Sequence, residues 1–239
     1  MLTATLLAAL LAAEPTRAQK SHVPASQWWP EVREIDAQLR RHRWKPARKQ
    51  ARKLAETVSR RSWYGRDLGK VLAELSLYQA VAEANLGLRR EAIWHWHMAS
   101  NLDLAMRRRD LSPYGDAAKL LLEFPLRGRG QVPAPFRTRR PPPGSRVEPP
   151  ELPDIEAYPV FNNTGATLEG SGDFKAELII DRAGALHQPV VLSDHLNPVI
   201  VFHVLNQLPE LPPFQPVRYD GEPSDTVFVL TVRFHVVRW

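Results

Sequence analysis

The sequence contains no cysteine, and this absence excludes three kinds of site. Disulfide bonds, thiol nucleophiles and cysteine-ligated metal centres all require that residue. Glycine is also scarce, with 12 residues against 22 prolines, and many of the prolines lie between Pro125 and Pro159. Such a composition favours a stiff, extended connection over a flexible one. We therefore predict a Pro/Arg-rich linker at residues 126–157.

The apolar run from Leu2 to Ala13 is too short for a membrane-spanning helix, which needs roughly 20 residues. It has the length of the apolar region of a secretory signal, and Thr16-Arg17-Ala18 would place cleavage before Gln19. We therefore predict a signal peptide at residues 1–18 and a periplasmic or exported location in a bacterial cell envelope. Since no Lys or Arg follows Met1 in this region, an uncleaved helix and membrane association stay open.

The formal net charge of +6 is unevenly distributed along the chain. Basic residues outnumber acidic ones from Glu31 to Arg61 and in the Pro-rich stretch, whereas acidic residues are more frequent beyond Val160. Such asymmetry can indicate nucleic-acid or membrane binding, although a basic helix face is usually only solvated. An exported protein meets no DNA, so we predict no nucleic-acid partner; anionic lipid or polysaccharide is the polyanion that would fit.

The sequence shows no motif typical of catalysis. A nucleophile elbow, a phosphate loop, a metal-ligand cluster and a paired-carboxylate motif are all absent from it. Asp194 and His195 are adjacent, but no serine partner can be assigned to them. We therefore predict a non-enzymatic protein without cofactor or metal, and an enzyme of unrecognised type is the alternative from another class.

Residues 27–125 carry apolar side chains at helical spacing. Five helices are expected, beginning near Pro30, Pro46, Asp67, Glu91 and Gly115. The second has basic side chains opposite an apolar stripe, which is typical of an amphipathic surface helix. Short connections between the helices indicate helical hairpins stacked side by side.

The segment from Ala80 to Ala99 resembles a tetratricopeptide repeat. Small residues, a turn glycine and an aromatic residue stand at that family's spacing: Ala80, Gly87, Ala92, Trp96 and Ala99. The upstream helix pair matches at Ala47 but has Ile35 where a glycine or alanine is usual. The resemblance implies a protein-binding array of helical hairpins, and generic helical packing is the alternative.

The cluster Trp94-His95-Trp96-His97 has residue types of a metal site without the spacing of one. On a helix His95 and His97 point in different directions. We therefore expect the tryptophan rings to pack in the core and both histidines to lie at the surface.

From Phe174 the apolar period changes to two. A strand from Phe174, a turn at Asp181–Gly184 and a strand at Leu186–Leu192 precede a helix that begins at Asn197-Pro198. The last strand is expected at Thr226–Val236, after an Asp220-Gly221 turn. This β-β-α-β order predicts an antiparallel sheet packed on one helix at residues 158–239. Together with the helical region it gives an α+β fold of two domains.

The C-terminal pattern resembles the C-terminal domain of TonB-like proteins over about residues 155–239. The matching features are Tyr158-Pro159, the Asp181–Gly184 turn, Ser193, Phe214-x-Pro216, Asp220-Gly221 and the long final strand. The resemblance implies peptide binding by strand addition at a sheet edge. The edge residues that it assigns are Thr226, Val227, Phe228, Val229, Leu230, Thr231, Val232 and Arg233.

Together these features predict an adaptor of the cell envelope that binds other proteins. Its expected partners are envelope proteins, an outer-membrane receptor peptide among them, and a second copy of the chain that pairs through the edge strand. The alternative is a diverged TonB-type energy transducer, although Leu2–Ala13 is short for its membrane helix and the linker is short for crossing the periplasm.

Overall fold

A computed structural model of the chain describes residues 23–61, 67–124, 128–138, 141, 143–151, 171–193 and 196–235, without the side chains of residues 171, 172 and 233–235. The predicted signal peptide at residues 1–18 lies outside these ranges, as do Tyr158-Pro159 and Asp194-His195. Among the described residues, no helix is long and apolar enough to cross a bilayer.

The regular elements follow one another as helices, then strands around one further helix. The helices are α1 (Trp29–Arg40), α2 (Trp44–Arg61), α3 (Leu68–Asn85), α4 (Arg89–Leu102), α5 (Asp116–Lys119) and α6 (Pro198–Gln207). The strands are β1 (Val147–Glu148), β2 (Ser171–Ile180), β3 (Leu186–Val191), β4 (Val217–Tyr219), β5 (Glu222–Ser224) and β6 (Thr226–His235).

Helix α3 is the centre of the helical region. Its sequence is apolar on nearly every side, so it needs neighbours all around. Helices α1, α2, α4, α5 and α6 all contact it. Three-residue turns join α1 to α2 and α3 to α4, and Gly87 has the positive φ of 76° that the second turn requires. The expected fifth helix is shorter than predicted, because α5 gives way to a 3-10 turn at Leu120–Glu123.

Two antiparallel sheets of three strands make up the β structure of the described residues. The main sheet has the order β3-β2-β6, and the smaller sheet has the order β1-β4-β5. Chain order in the main sheet is β2, β3, α6, β6, with the β4–β5 hairpin inserted before β6. The predicted α+β class is confirmed, and so is the Asp220-Gly221 turn, where both residues have positive φ.

The helical region and the main sheet share one apolar core. Their buried residues form a single cluster, which includes Leu72 of α3, Phe202 of α6 and Phe174 of β2. The Trp94 indole N–H donates a hydrogen bond of 2.9 Å to the Leu205 carbonyl across the two regions. The sequence predicts two domains; the described residues instead pack together, because α3 leaves an apolar side that α6 covers. The domain boundaries themselves stay a prediction.

The Pro-rich stretch is not an isolated spacer over its described residues. Val147 and Glu148 form β1, which pairs with β4. The Gly130 N–H donates a 2.8 Å hydrogen bond to a carboxylate oxygen of Glu177 on β2. Sequence composition could not reveal these contacts, since proline restricts the backbone of a segment without fixing what that segment packs against.

The histidines of α4 also differ from expectation. The prediction that both lie at the surface is wrong: His97 is buried, and the His95 side chain is only 16% exposed. Both tryptophans are buried as predicted, and α4 carries neighbours on more sides than its amphipathic pattern indicated.

Candidate functional site

Strand β6 is the candidate binding edge. All eight residues assigned to it from the sequence, Thr226 to Arg233, lie within Thr226–His235. The strand pairs with β2 along its whole length, from Thr226 opposite Ile180 to His235 opposite Ser171, without a register shift. In the sheet order it has this one neighbour, so its other side ends the sheet as far as the structure describes the chain.

The direction of the β6 backbone groups follows from bonds that β2 makes on its opposite side. The Lys175 N–H donates to the Ser193 hydroxyl at 2.7 Å, and the Lys175 carbonyl accepts from the Leu192 N–H at 2.8 Å. Both groups of Lys175 thus point away from β6. In an antiparallel ladder this direction alternates along the strand, so Ala176 bonds towards β6, where Leu230 stands opposite.

The same alternation assigns the outer side of β6. Since Leu230 bonds inwards to β2, its odd-numbered neighbours present their N–H and C=O groups at the open side of the sheet. These residues are Val227, Val229, Thr231 and Arg233. They form a row of donors and acceptors that an added strand could pair with.

Side chains on β6 alternate between the core and the surface. Leu230 and Val232 are buried, whereas Val229 is 48% exposed and Thr231 is exposed. Val227 and Phe228 are partly buried. An added strand would therefore meet an apolar face on one side and a more open face on the other.

The start of the β6 edge is held by Asp225. One carboxylate oxygen accepts the Arg137 N–H at 2.8 Å and the other accepts the Arg182 N–H at 3.1 Å. Thr138 forms a parallel bridge with Asp225. The Pro-rich stretch thus reaches the edge just before β6 begins, and the eight predicted residues lie beyond this contact.

The opposite edge of the sheet, strand β3, is covered by α4. The Asn101 side chain donates to the Pro189 carbonyl at 2.8 Å, and its oxygen accepts the Val191 N–H at 2.9 Å. The side-chain amide has the same donor–acceptor pair as a backbone peptide, so it takes the place of a neighbouring strand.

The turn between β2 and β3 is fixed from two directions. Gly184 has φ of 80°, and its carbonyl accepts the Phe214 N–H at 2.9 Å. Asp181 accepts bonds from His187 and from the N–H groups of Ala183 and Ala185. Burial opposes ionisation of Asp181, yet these bonds outweigh it and lower the pKa of the carboxyl. Two pieces of the predicted motif, the turn and Phe214, are therefore in contact.

A buried ionic cluster links three helices of the helical region. Glu83 on α3 is fully buried, and its two carboxylate oxygens bond to Arg48 of α2 at 2.8 Å and to His95 of α4 at 2.7 Å. Glu83 thus connects α3 with both α2 and α4, and loss of either partner would leave a buried carboxylate oxygen unpaired. The sequence contained one signal for it, because a helix as apolar as α3 buries any glutamate that it carries.

A second polar cluster lies between α1, α3 and the segment before α5. The Tyr114 hydroxyl donates to Asp36, and Glu74 lies 3.4 Å from Arg109. Burial and the bond to Asp36 raise the pKa of Tyr114 to about 12, and burial also raises the pKa of Tyr78. Both phenols therefore stay protonated at neutral pH, and that of Tyr114 acts as a hydrogen-bond donor.

The described residues contain no group of three His, Asp or Glu side chains that could hold a metal ion. The sequence missed two contributors to the edge geometry, Asp225 and Asn101, because their partners are distant in the chain: Arg137 is 88 positions from Asp225, and Val191 is 90 positions from Asn101.

Comparisons of the chain with protein-family models, with curated proteins and with solved structures found no match.

Proposed function

We propose that the chain is a non-enzymatic adaptor of the bacterial cell envelope that binds an extended segment of a partner protein as an added strand on β6. The observation that carries the proposal is the difference between the two sides of β6. One side pairs with β2 over ten residues, and the other side has no strand partner among the described residues. A regular edge of this length is a template for strand addition.

The contact between the β2–β3 turn and Phe214 supports the resemblance to TonB-like C-terminal domains. A side chain at Gly184 would lie 1.9 Å from the Phe214 carbonyl oxygen, so the glycine and the aromatic-x-proline segment depend on each other. This contact explains in structural terms why the glycine of the turn and the aromatic-x-proline segment occur together in the motif. The binding mode that belongs to the resemblance, peptide addition at the final strand, is part of our proposal.

The helical region supplies a second protein-binding surface in this proposal. Ala80, Ala92 and Ala99, which carry the tetratricopeptide resemblance, are all buried, as close helix packing requires. Trp96 is buried among the same helices. The envelope location depends on the predicted signal peptide at residues 1–18. The transducer and the unrecognised enzyme stay alternatives without a structural observation in their favour.

The test uses peptides selected from a random display library for binding to the full chain. Val229→Pro removes an N–H that points away from β2, whereas Val229→Thr keeps that N–H and changes the side chain. We expect Val229→Pro to weaken peptide binding by about tenfold or more, since an edge hydrogen bond is lost and the proline ring blocks close approach. Val229→Thr should bind nearly as well as the native chain.

Amide hydrogen exchange provides the matching structural measurement. In the free chain the amides of Val227, Val229 and Thr231 should exchange fast, and those of Phe228 and Leu230 should be protected by β2. Bound peptide should protect the first group and leave the second unchanged. Retained protection of Phe228 and Leu230 in Val229→Pro shows that the strand is still paired. Peptide binding that leaves the three outer amides unprotected would contradict the proposal.

A further inference from the structure

Helix α2 and the turn before it form a strongly basic surface that strand addition at β6 does not use. Between Arg40 and Lys53 the sequence has eight Arg and Lys residues and no acidic residue. Three of the eight form ion pairs with carboxylates. Arg40 pairs with Asp36 at 2.8 Å, Arg48 pairs with Glu83, and Arg52 pairs with Glu56.

The other five cations are exposed and have no ion pair among the described residues. They are Arg41, Arg43, Lys45, Lys49 and Lys53, and together with Trp44 we call them the α2 basic face. Nearby acidic side chains do not neutralise this face, because Glu83 is buried and Asp36 already accepts bonds from Arg40 and Tyr114.

Helical spacing places the lysines in one row. Lys45, Lys49 and Lys53 stand four residues apart, so they share one side of α2 over about 12 Å of helix length. The buried stripe of α2 lies on the opposite side and packs towards α3. The row is therefore a ridge that points outwards, with its backbone groups bonded within the helix.

An aromatic pair lies at the end of this row. The rings of His42 and Trp44 stack with centroids 5.0 Å apart. With Pro46 and Leu86 they help to line a shallow open depression of about 330 Å³. Tryptophan is enriched where proteins meet the interfacial region of a bilayer, because its ring is apolar and its N–H is polar.

We infer that the α2 basic face binds an anionic lipid surface. A ridge of cations whose backbone groups are bonded within the helix offers no hydrogen-bonding edge to an extended peptide. A planar surface of negative headgroups can meet the row of three lysines at once, with the exposed Arg41 and Arg43 in the turn next to it and the half-buried Trp44 at the end of the row. Clustered Lys and Arg on an amphipathic helix are attracted to such surfaces.

The test measures sedimentation of the full chain with vesicles. One set contains phosphatidylcholine alone, and the other contains one quarter phosphatidylglycerol. We expect binding to the anionic vesicles only, and loss of that binding when salt rises from about 0.05 M to about 0.5 M, because salt shortens the screening length. Lys45→Glu/Lys49→Glu should lower the partition coefficient by about 30-fold or more.

The matched control is Arg107→Glu/Arg108→Glu, which makes the same change of net charge at two exposed arginines elsewhere. It should keep most of the binding. An equal loss in both variants would assign the effect to net charge and overturn the inference. Salt-insensitive binding to both kinds of vesicle would assign it to the apolar residues 2–13, with the same consequence. Absence of binding to anionic vesicles at low salt also overturns it.

Discussion

The two edges of the main sheet are built in opposite ways. Strand β3 contains one extra residue relative to β2, with Gln188 at positive φ, and the next residue is Pro189, which has no N–H to offer. Asn101 then occupies two of the backbone groups that remain. Strand β6 has no bulge and no proline over its ten residues.

This difference indicates which edge is available for binding. Natural proteins close sheet edges with bulges, prolines, charges or covering helices, because an open edge pairs with other chains. β3 combines three such features in six residues, whereas the described part of β6 is covered only at its start, next to Asp225. Within the part of the chain that the structure describes, one sheet thus carries a closed edge and an open one, which is the basis of the proposed strand addition.

The largest effect on folding is expected in the turn that leads to the closed edge. Gly184→Ala places a Cβ 1.9 Å from the Phe214 carbonyl oxygen at a φ of 80°, so we expect a loss of at least about 3 kcal/mol. Gly221→Ala, in the turn between β4 and β5, is the control: its φ is 84°, but nothing lies within 4 Å. It should cost about 1–2 kcal/mol. Urea denaturation measures both, and equal losses would contradict the contact with Phe214.

The next effect tests how β3 is closed. Asn101→Ala removes two hydrogen bonds to the β3 backbone and exposes its edge, so we expect a loss of about 2 kcal/mol. Arg90→Ala, at an exposed position of the same helix, should change stability by less than about 0.5 kcal/mol. Denaturation measures stability, and light scattering follows aggregation. A variant as stable and as soluble as the native chain would show that Asn101 does not close this edge.

The smallest effect on folding is expected at the open edge. Val229→Lys changes an exposed side chain, so stability should move by less than about 0.5 kcal/mol. If a second copy pairs antiparallel with β6 around Val229, two lysines face each other and the dimer is weakened. Sedimentation velocity at high concentration measures this. Leu104→Lys, which makes the same charge change at another exposed position, is the control. A dimer that persists in Val229→Lys would contradict pairing centred on this residue.

Much of the local structure was predictable because it depends on neighbouring residues. The helical period gave α1 to α4, and the period of two gave β2, β3 and β6. The Asp220-Gly221 turn was readable because few residues adopt positive φ without strain. The length of α5 and the burial of His97 could not be predicted from the sequence, since both depend on which elements pack around them.

In the candidate site, too, the sequence predicted local structure but not contacts between distant residues. The sequence placed eight residues on the final strand, and all of them lie on β6. It did not indicate which of them direct their backbone groups outwards, because that depends on the register with β2. Nor did it indicate Asp225 or Asn101, whose partners are distant in the chain. The α2 basic face was visible as a run of charges, but the pairing of Arg48 with buried Glu83 was not.

The sequence by itself determined that α1 to α4, β2, β3 and β6 form and where the chain turns between several of them, because period, glycine and proline act over a few residues. Only the tertiary structure decided that the helices and the sheet share one core, that the described Pro-rich residues pack against β2 and β4, and that, among the described residues, the edge of β6 is open and that of β3 is closed. Those outcomes depend on contacts between residues far apart in the chain. Several arrangements of the elements satisfy the local sequence pattern equally well, and packing and backbone pairing select one of them.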